Sequence, residues 1–161
     1  MELIRVQDSD YRKTYELYMT FPEYDHGYMN NVYGYSYEQF LEWIEKKRNW
    51  SEGKCVPENF VADTTYVLAD GEDYVGVFNL RHYLNDFLRE GAGHIGFCIS
   101  SKYRKKGYAS ILIKELIKEA RQRDLGNLWL MASKEGRTLY KTLGFDDIRE
   151  GHDVYMEWYE E

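Results

Sequence analysis

Little in this chain points to a protein stapled by disulfides, built on a metal or embedded in a membrane. Cysteine occurs twice, as Cys55 and Cys98, and neither stands at a metal-ligand spacing, so a disulfide framework and a zinc module are both unexpected. Long apolar runs are lacking too. No window approaches the roughly eighteen apolar residues of a membrane span, and the mean hydropathy is -0.67. The polar start MELIRVQDSD carries no secretory leader, which leads to the expectation of a reduced, cytoplasmic protein with no membrane partner. Positive charge is in deficit, with 21 Lys and Arg against 28 Asp and Glu and a formal net charge of -7. That balance argues against general nucleic-acid binding, which needs a dominant basic face. Neither G-x-G-x-x-G nor G-x-x-x-x-G-K-[ST] occurs, so dinucleotide and P-loop readings fall away. There is no internal repeat and no low-complexity segment. At 161 residues the chain suits one domain, 1–161, able to bury a core without disulfides or metal.

What is present is a local reversal of that charge. Residues 93–109 read GHIGFCISSKYRKKGYA, an apolar segment that ends in a basic turn and opens a helix. The first turn of a helix leaves backbone N–H groups without intrahelical partners, and the dipole adds partial positive charge there. Gly107, without a Cβ, lets the backbone approach a phosphate or adopt positive φ, and Lys102, Arg104, Lys105 and Lys106 surround it with charge. The bland reading is a solvated turn between a strand and a helix.

Patterning around this segment predicts a mixed α/β domain of six or seven strands and about four helices. A short strand over residues 2–6 leads to a helix ending near Met19, with Ser9 or Asp8 as its cap. Residues 23–35, EYDHGYMNNVYGY, lack periodicity and read as a loop or broken helix. Ser36 caps a second helix along which Phe40, Leu41, Ile44 and Lys47 to Arg48 follow, with a charged outer face. Residues 64–69 and 74–80 form a hairpin about Asp70-Gly71-Glu72-Asp73. Residues 83–90 are a helical excursion, and 94–100 are the strand that enters the basic turn. The helix over 107–122 carries Leu112, Ile113, Leu116, Ile117 and Ala120 as one apolar stripe. A strand over 127–132 completes a right-handed crossover with parallel or splayed strands. Ser133 then caps a short helix ended by Gly144, and residues 145–148 and 154–158 close a last hairpin.

The order Arg104-Lys105-Lys106-Gly107-Tyr108-Ala109 has the form Arg/Gln-x-x-Gly-x-Gly/Ala, and Gly136-Arg137-Thr138-Leu139-Tyr140-Lys141-Thr142-Leu143-Gly144-Phe145 places a Tyr ahead of a Gly-Phe pair. In that order and separation the two motifs resemble the GNAT superfamily of acetyl-CoA-dependent N-acetyltransferases, over residues 65–158. The resemblance implies a mostly antiparallel sheet with a splayed parallel pair at the CoA site, residues 1–60 on the acceptor side and 61–161 as the acetyl-CoA core. It also implies acetyl-CoA as co-substrate, no metal, and an amine of a small molecule or peptide as partner.

By the same resemblance the pantetheine arm would pair with the backbone of Phe97, Cys98 and Ile99 as an added strand. The pyrophosphate would meet amides from Lys105 through Lys106, Gly107, Tyr108 and Ala109 to Ser110, and Arg104, Lys105 or Lys106 would reach the 3′-phosphate. Tyr140 would be the general acid toward the departing CoA thiolate, where sulfur gains negative charge. Its alternative is a core tyrosine packed over Leu139 and Leu143. Relatives often carry Asn ahead of this helix, where this chain has Ser133-Lys134-Glu135.

The residues leave the general base open among His94, Asp25, His26, Glu23 and a water chain ending on a backbone carbonyl. The alternation of the strand sets His94 out of phase with Phe97 and Ile99. Cys98 is the candidate nucleophile for a ping-pong route, without a basic partner in view, and a buried small hydrophobe is the favoured reading. Tyr24, Tyr28, Tyr33, Tyr35 and Tyr37 form either an aromatic wall for a cationic amine, with Asp25 supplying charge, or packing at a homodimer interface. The competing function is an acyl-CoA-binding sensor or scaffold without turnover.

Overall fold

The computed structural model describes residues 1–150 and 154–160. A four-stranded antiparallel sheet runs in the order β1 (Glu2–Arg5), β4 (Asp63–Asp70), β5 (Asp73–Arg81), β6 (Ile95–Ile99), and a three-stranded sheet in the order β7 (Asn127–Ala132), β9 (Val154–Tyr159), β8 (Asp146–Glu150). A hairpin of β2 (Tyr24–Asp25) and β3 (Tyr28–Met29) stands apart from both. The helices are α1 (Tyr11–Met19), α2 (Tyr37–Ser51), α3 (Asp86–Glu90), α4 (Tyr108–Gln122) and α5 (Lys134–Thr142).

Two cores follow from alternation along the central strands. Val67, Val77 and Cys98 face Val6, Leu17, Tyr18, Phe40 and Ile44 of the α1–α2 layer. Tyr66, Leu68, Phe78, Leu80 and Ile99 face Leu112, Ile113 and Leu116 of α4. With both faces covered, β4 is buried from Asp63 to Ala69, which explains its continuous run of β-branched and apolar residues.

Local chemistry sets the element ends. The Ser36 hydroxyl accepts from the Gln39 N–H and the Gln39 side chain returns to the Ser36 N–H, a complete capping box. The Asp10 carboxylate caps α1, not Ser9 or Asp8, because residues 6–8 are taken up in a 3-10 turn and the Ser9 hydroxyl is committed to the Val6 carbonyl and Thr14. Residues 23–35 are neither plain loop nor broken helix. His26 (φ 46°) and Gly27 (φ 90°) both take positive φ, the requirement of a type I′ turn, and so close the β2–β3 hairpin. This hairpin brings the strands among the described residues to nine, where six or seven were expected. The turn of the expected last hairpin lies outside the described residues.

The two sheets meet at one bridge, Gly93 to Leu130, antiparallel in its local pattern. Gly93 has φ 65°, and a Cβ there would stand 2.4 Å from the Trp129 carbonyl oxygen, so the close approach requires glycine. Beyond the bridge, among the described residues, no ladder joins β6 to β7. The strands splay, and the cleft between them is the candidate site.

Candidate active site

The splay leaves one edge of β6 without a strand partner. Donation from the Ser100 N–H to the Val75 carbonyl and from the Arg81 N–H to the His94 carbonyl sets the phase of the β5–β6 ladder. Residues of that parity, Cys98 included, turn their peptide groups toward β5, so Phe97 and Ile99 turn theirs into the cleft. Of the three residues expected to pair with an extended ligand, two therefore offer backbone groups and Cys98 does not.

A cavity of about 320 Å³ fills the cleft. The expected residues Phe97, Cys98, Ile99, Arg104, Ala109 and Tyr140 all line it. Lys105, Lys106, Gly107, Tyr108 and Ser110 lie outside its lining, in the turn and first helical residues beyond. Gly107 caps α4 with φ 85° and Lys105 has φ 59°, and among the described residues the N–H groups of residues 105–110 have no hydrogen-bond acceptor. That series of amides at a helix start is a cradle for an anion. The Arg104 side chain is already engaged: its guanidinium pairs with Asp25, and its Nε donates to the Ile99 carbonyl at 3.1 Å.

Tyr140 is buried on α5, its ring edge-on to Phe97 and Phe145 at centroid distances of 6.3 and 5.4 Å. Burial pushes its hydroxyl pKa well up, which keeps the group a proton donor. Among the described residues the hydroxyl has no hydrogen-bond partner, and the ring borders the cavity. Ser133 also lines the cavity, and its hydroxyl is occupied as the α5 cap, accepting from the Gly136 N–H at 3.1 Å.

The candidate bases separate in space. His94 is buried outside the cavity lining. Its Nδ1 accepts from the Trp129 N–H at 2.9 Å, and burial pushes the imidazole down to about 4. It is a sheet-joining residue. Glu23 is exposed and outside the lining. Asp25 lines the cavity but is committed to Arg104, and it also accepts from the Cys98 thiol at 3.4 Å. His26 stands exposed at the rim, its Nε2 3.7 Å from Asp25. Burial, reinforced by Asp25, pushes the Cys98 thiol up to about 12, which removes the thiolate that a ping-pong route needs.

A second cavity, of about 260 Å³, shares Gly27, Tyr28, Ile95, Gly96 and Met131 with the first and continues it past β6. The expected tyrosine wall does not assemble there. Tyr24 and Tyr33 are exposed, Tyr35 and Tyr37 pack beside α1, and only Tyr28 reaches the cavities. Trp43, Trp50, Phe60 and Tyr18 supply the aromatic surface instead. The charges in this lining are Lys47, Asp63 and Arg81. Lys47 is buried, and its Nζ donates to both Asp63 oxygens at 2.6 and 2.8 Å. The signal was available: residues 40, 44 and 47 share one helical face, so the Phe40–Ile44 stripe carries Lys47 inward. Among the described residues no cluster of three or more His, Cys, Asp or Glu could hold a metal.

The model of the acetyltransferase (GNAT) family matches residues 11–145. No curated protein matches the sequence. Solved structures are similar over nearly the whole chain. The Campylobacter jejuni N-acetyltransferase PseH in complex with acetyl coenzyme A has a TM-score of 0.65 at 14% identity, covering 99% of each chain. Ribosomal-protein-alanine N-acetyltransferase from Brucella melitensis has 0.69 at 16%, covering 99% of this chain and 100% of its own. A chimera of spermidine N-acetyltransferase SpeG from Vibrio cholerae with hSSAT has 0.63 at 18%, covering 98% and 94%. At these identities the likeness is one of fold. No described helix is long and apolar enough to cross a membrane.

Proposed function

The chain belongs to the GNAT acetyltransferase family, and on that premise we propose that it moves the acetyl group of acetyl-CoA to a primary amine by direct attack in a ternary complex. The observation that carries this reading is one continuous path: the unpartnered amides of residues 105–110, the free edge of β6, the Tyr140 hydroxyl, and then the second cavity. The amides take the pyrophosphate, with Lys105 and Lys106 adding charge beside it. The outward peptide groups of Phe97 and the Ile99 N–H take the pantetheine amides as a strand partner would, the Ile99 carbonyl being held by Arg104.

The acceptor enters from the second cavity as the free amine and attacks the thioester carbonyl near Gly96. A C–N bond forms and a tetrahedral intermediate carries the negative charge. Its collapse breaks the C–S bond, and the sulfur takes the electron pair together with a proton or strong hydrogen bond from Tyr140. The amine proton leaves through water toward the rim at His26, since Asp25 is held by Arg104 and His94 lies behind the sheet. The raised Cys98 thiol supports direct attack over an acetyl-cysteine intermediate.

Acetyl-CoA binding by calorimetry, with thiol release against a panel of amines, tests the reading. Tight binding with no turnover on any amine favours an acyl-CoA sensor. An absence of acetyl-CoA binding sinks the proposal.

A further inference from the structure

The second cavity holds a cation with which, among the described residues, no carboxylate is in ion-pair contact; the acidic group acting on it is Asp63, which is itself paired with Lys47. Arg81, at the end of β5, is half-buried in the lining, and burial pushes its guanidinium pKa down. Its Nη1 donates to the Gly93 carbonyl at 2.9 Å, and among the described residues no carboxylate forms an ion pair with it. Asp63 stands opposite in the β4–β5 register, but Lys47 occupies both of its oxygens. Lys47 and Asp63 cancel, so the cavity presents a net positive charge to an occupant. Buried cations without a protein counter-ion are costly, and a bound anion relieves that cost.

A second, independent observation lies one strand repeat away. The Thr65 hydroxyl is buried, lines the same cavity and, among the described residues, has no hydrogen-bond partner. Thr65 pairs with Asn79, and Asn79 pairs with Gly96, where the two cavities join. Arg81 is two residues beyond Asn79 on the same strand face, about 7 Å farther from that join. Trp43, Trp50 and Phe60 cover the space between with apolar surface.

Resting on the acetyl-transfer reading, we propose that the acceptor is an amino carboxylate with an apolar or aromatic body. Its amine sits in the Gly96–Asn79–Thr65 row, facing the thioester, and its carboxylate pairs with Arg81. A polyamine is disfavoured at this site: the carboxylate in its described lining, Asp63, is already paired with Lys47.

The test compares kcat/KM on the wild-type protein for matched sets whose two ends can span from that row to Arg81: 4-(aminomethyl)benzoate, 4-(aminomethyl)benzamide and benzylamine, then 6-aminohexanoate, 6-aminohexanamide and hexylamine, and finally spermidine. The carboxylate member of a set is expected to exceed its carboxamide and its bare amine by roughly 10- to 100-fold, the usual worth of a charge-assisted hydrogen bond. Arg81→Gln should bring that ratio close to one by raising KM for the carboxylate, and Arg81→Lys should restore part of it. Calorimetry and thermal melting of both variants with acetyl-CoA separate a lost acceptor contact from a lost fold. Preference for the amides, the bare amines or spermidine overturns the proposal, as does a ratio that Arg81→Gln leaves unchanged. So does a failure of every carboxylate member both to be acetylated and to bind the CoA complex. In those outcomes the acetyl-transfer reading survives as long as acetyl-CoA binds and some amine of the panel is acetylated. A protein that does not bind acetyl-CoA fails at that earlier reading.

Discussion

Replacing Tyr140 by Phe isolates one oxygen atom. The ring keeps its edge contacts to Phe97 and Phe145, and the hydroxyl has no protein partner to strand, so stability should move by no more than about 0.5 kcal/mol. Turnover is another matter. Negative charge reaches the sulfur only as the C–S bond breaks, so a donor there stabilises the transition state and not the bound thioester. General acids of this type contribute about 10²- to 10⁴-fold, which at ~1.4 kcal/mol per decade is about 3–5 kcal/mol of barrier. The loss should fall equally on kcat and kcat/KM, with the acetyl-CoA dissociation constant nearly unchanged. Because burial raises the Tyr140 pKa well above that of free tyrosine, the hydroxyl stays protonated through pH 9, and a basic limb below that pH has another origin. The assay is thiol release at saturating acetyl-CoA, with calorimetric titration and thermal melting of the same preparation. Turnover within twofold of wild type in a folded Tyr140→Phe protein would refute the assignment.

Gly107→Val places a β-branched residue at φ 85°, a conformation costing such residues roughly 1–2 kcal/mol; the acetyl-CoA dissociation constant should rise about 5- to 30-fold, and an unchanged constant removes the amide cradle from the binding site. Lys47→Met leaves the Asp63 carboxylate buried without its cation and should cost about 3–5 kcal/mol in urea unfolding. Adding Asp63→Asn should recover a large part, and equal losses in the single and double variants would show that the pair is not coupled. His94 contributes an acid sensitivity whose sign follows from its lowered pKa of about 4. Between that value and about 6.5, the unfolded imidazole binds a proton that the folded one refuses. Its stabilisation is therefore complete above about pH 6.5 and declines as the pH falls toward 4, with about 2 kcal/mol lost between pH 7 and pH 5. His94→Gln should flatten that part of the profile, and an identical slope would show that the imidazole is solvated.

Much of the architecture was legible because it rests on local chemistry. The α4 stripe, the Ser36 and Ser133 caps and the Asp70–Asp73 turn are each decided by residues within a few positions of one another. The β2–β3 hairpin escaped because a two-residue ladder has no periodicity to read, although His26-Gly27 carried the turn chemistry. Lys47 shares the helical face of Phe40 and Ile44, and what holds its charge inside is Asp63, on another element, which no window of the helix contains.

By itself the sequence determined the order of strands and helices apart from the β2–β3 hairpin, the glycine turn at the start of α4, and the two motifs that carry the resemblance, since all are written in short spacings. Tertiary structure alone decided the rest. The splay beyond the Gly93–Leu130 bridge leaves an edge of β6 open, and the phase of the β5–β6 ladder selects which peptides face it. The meeting of Asp25 with Arg104, 79 residues apart, removes a candidate base, and the enclosure of Arg81 beside an already neutralised Asp63 gives the second cavity its charge. These depend on where distant segments come to rest and on how much water they exclude. Neither is a property of any window of the chain.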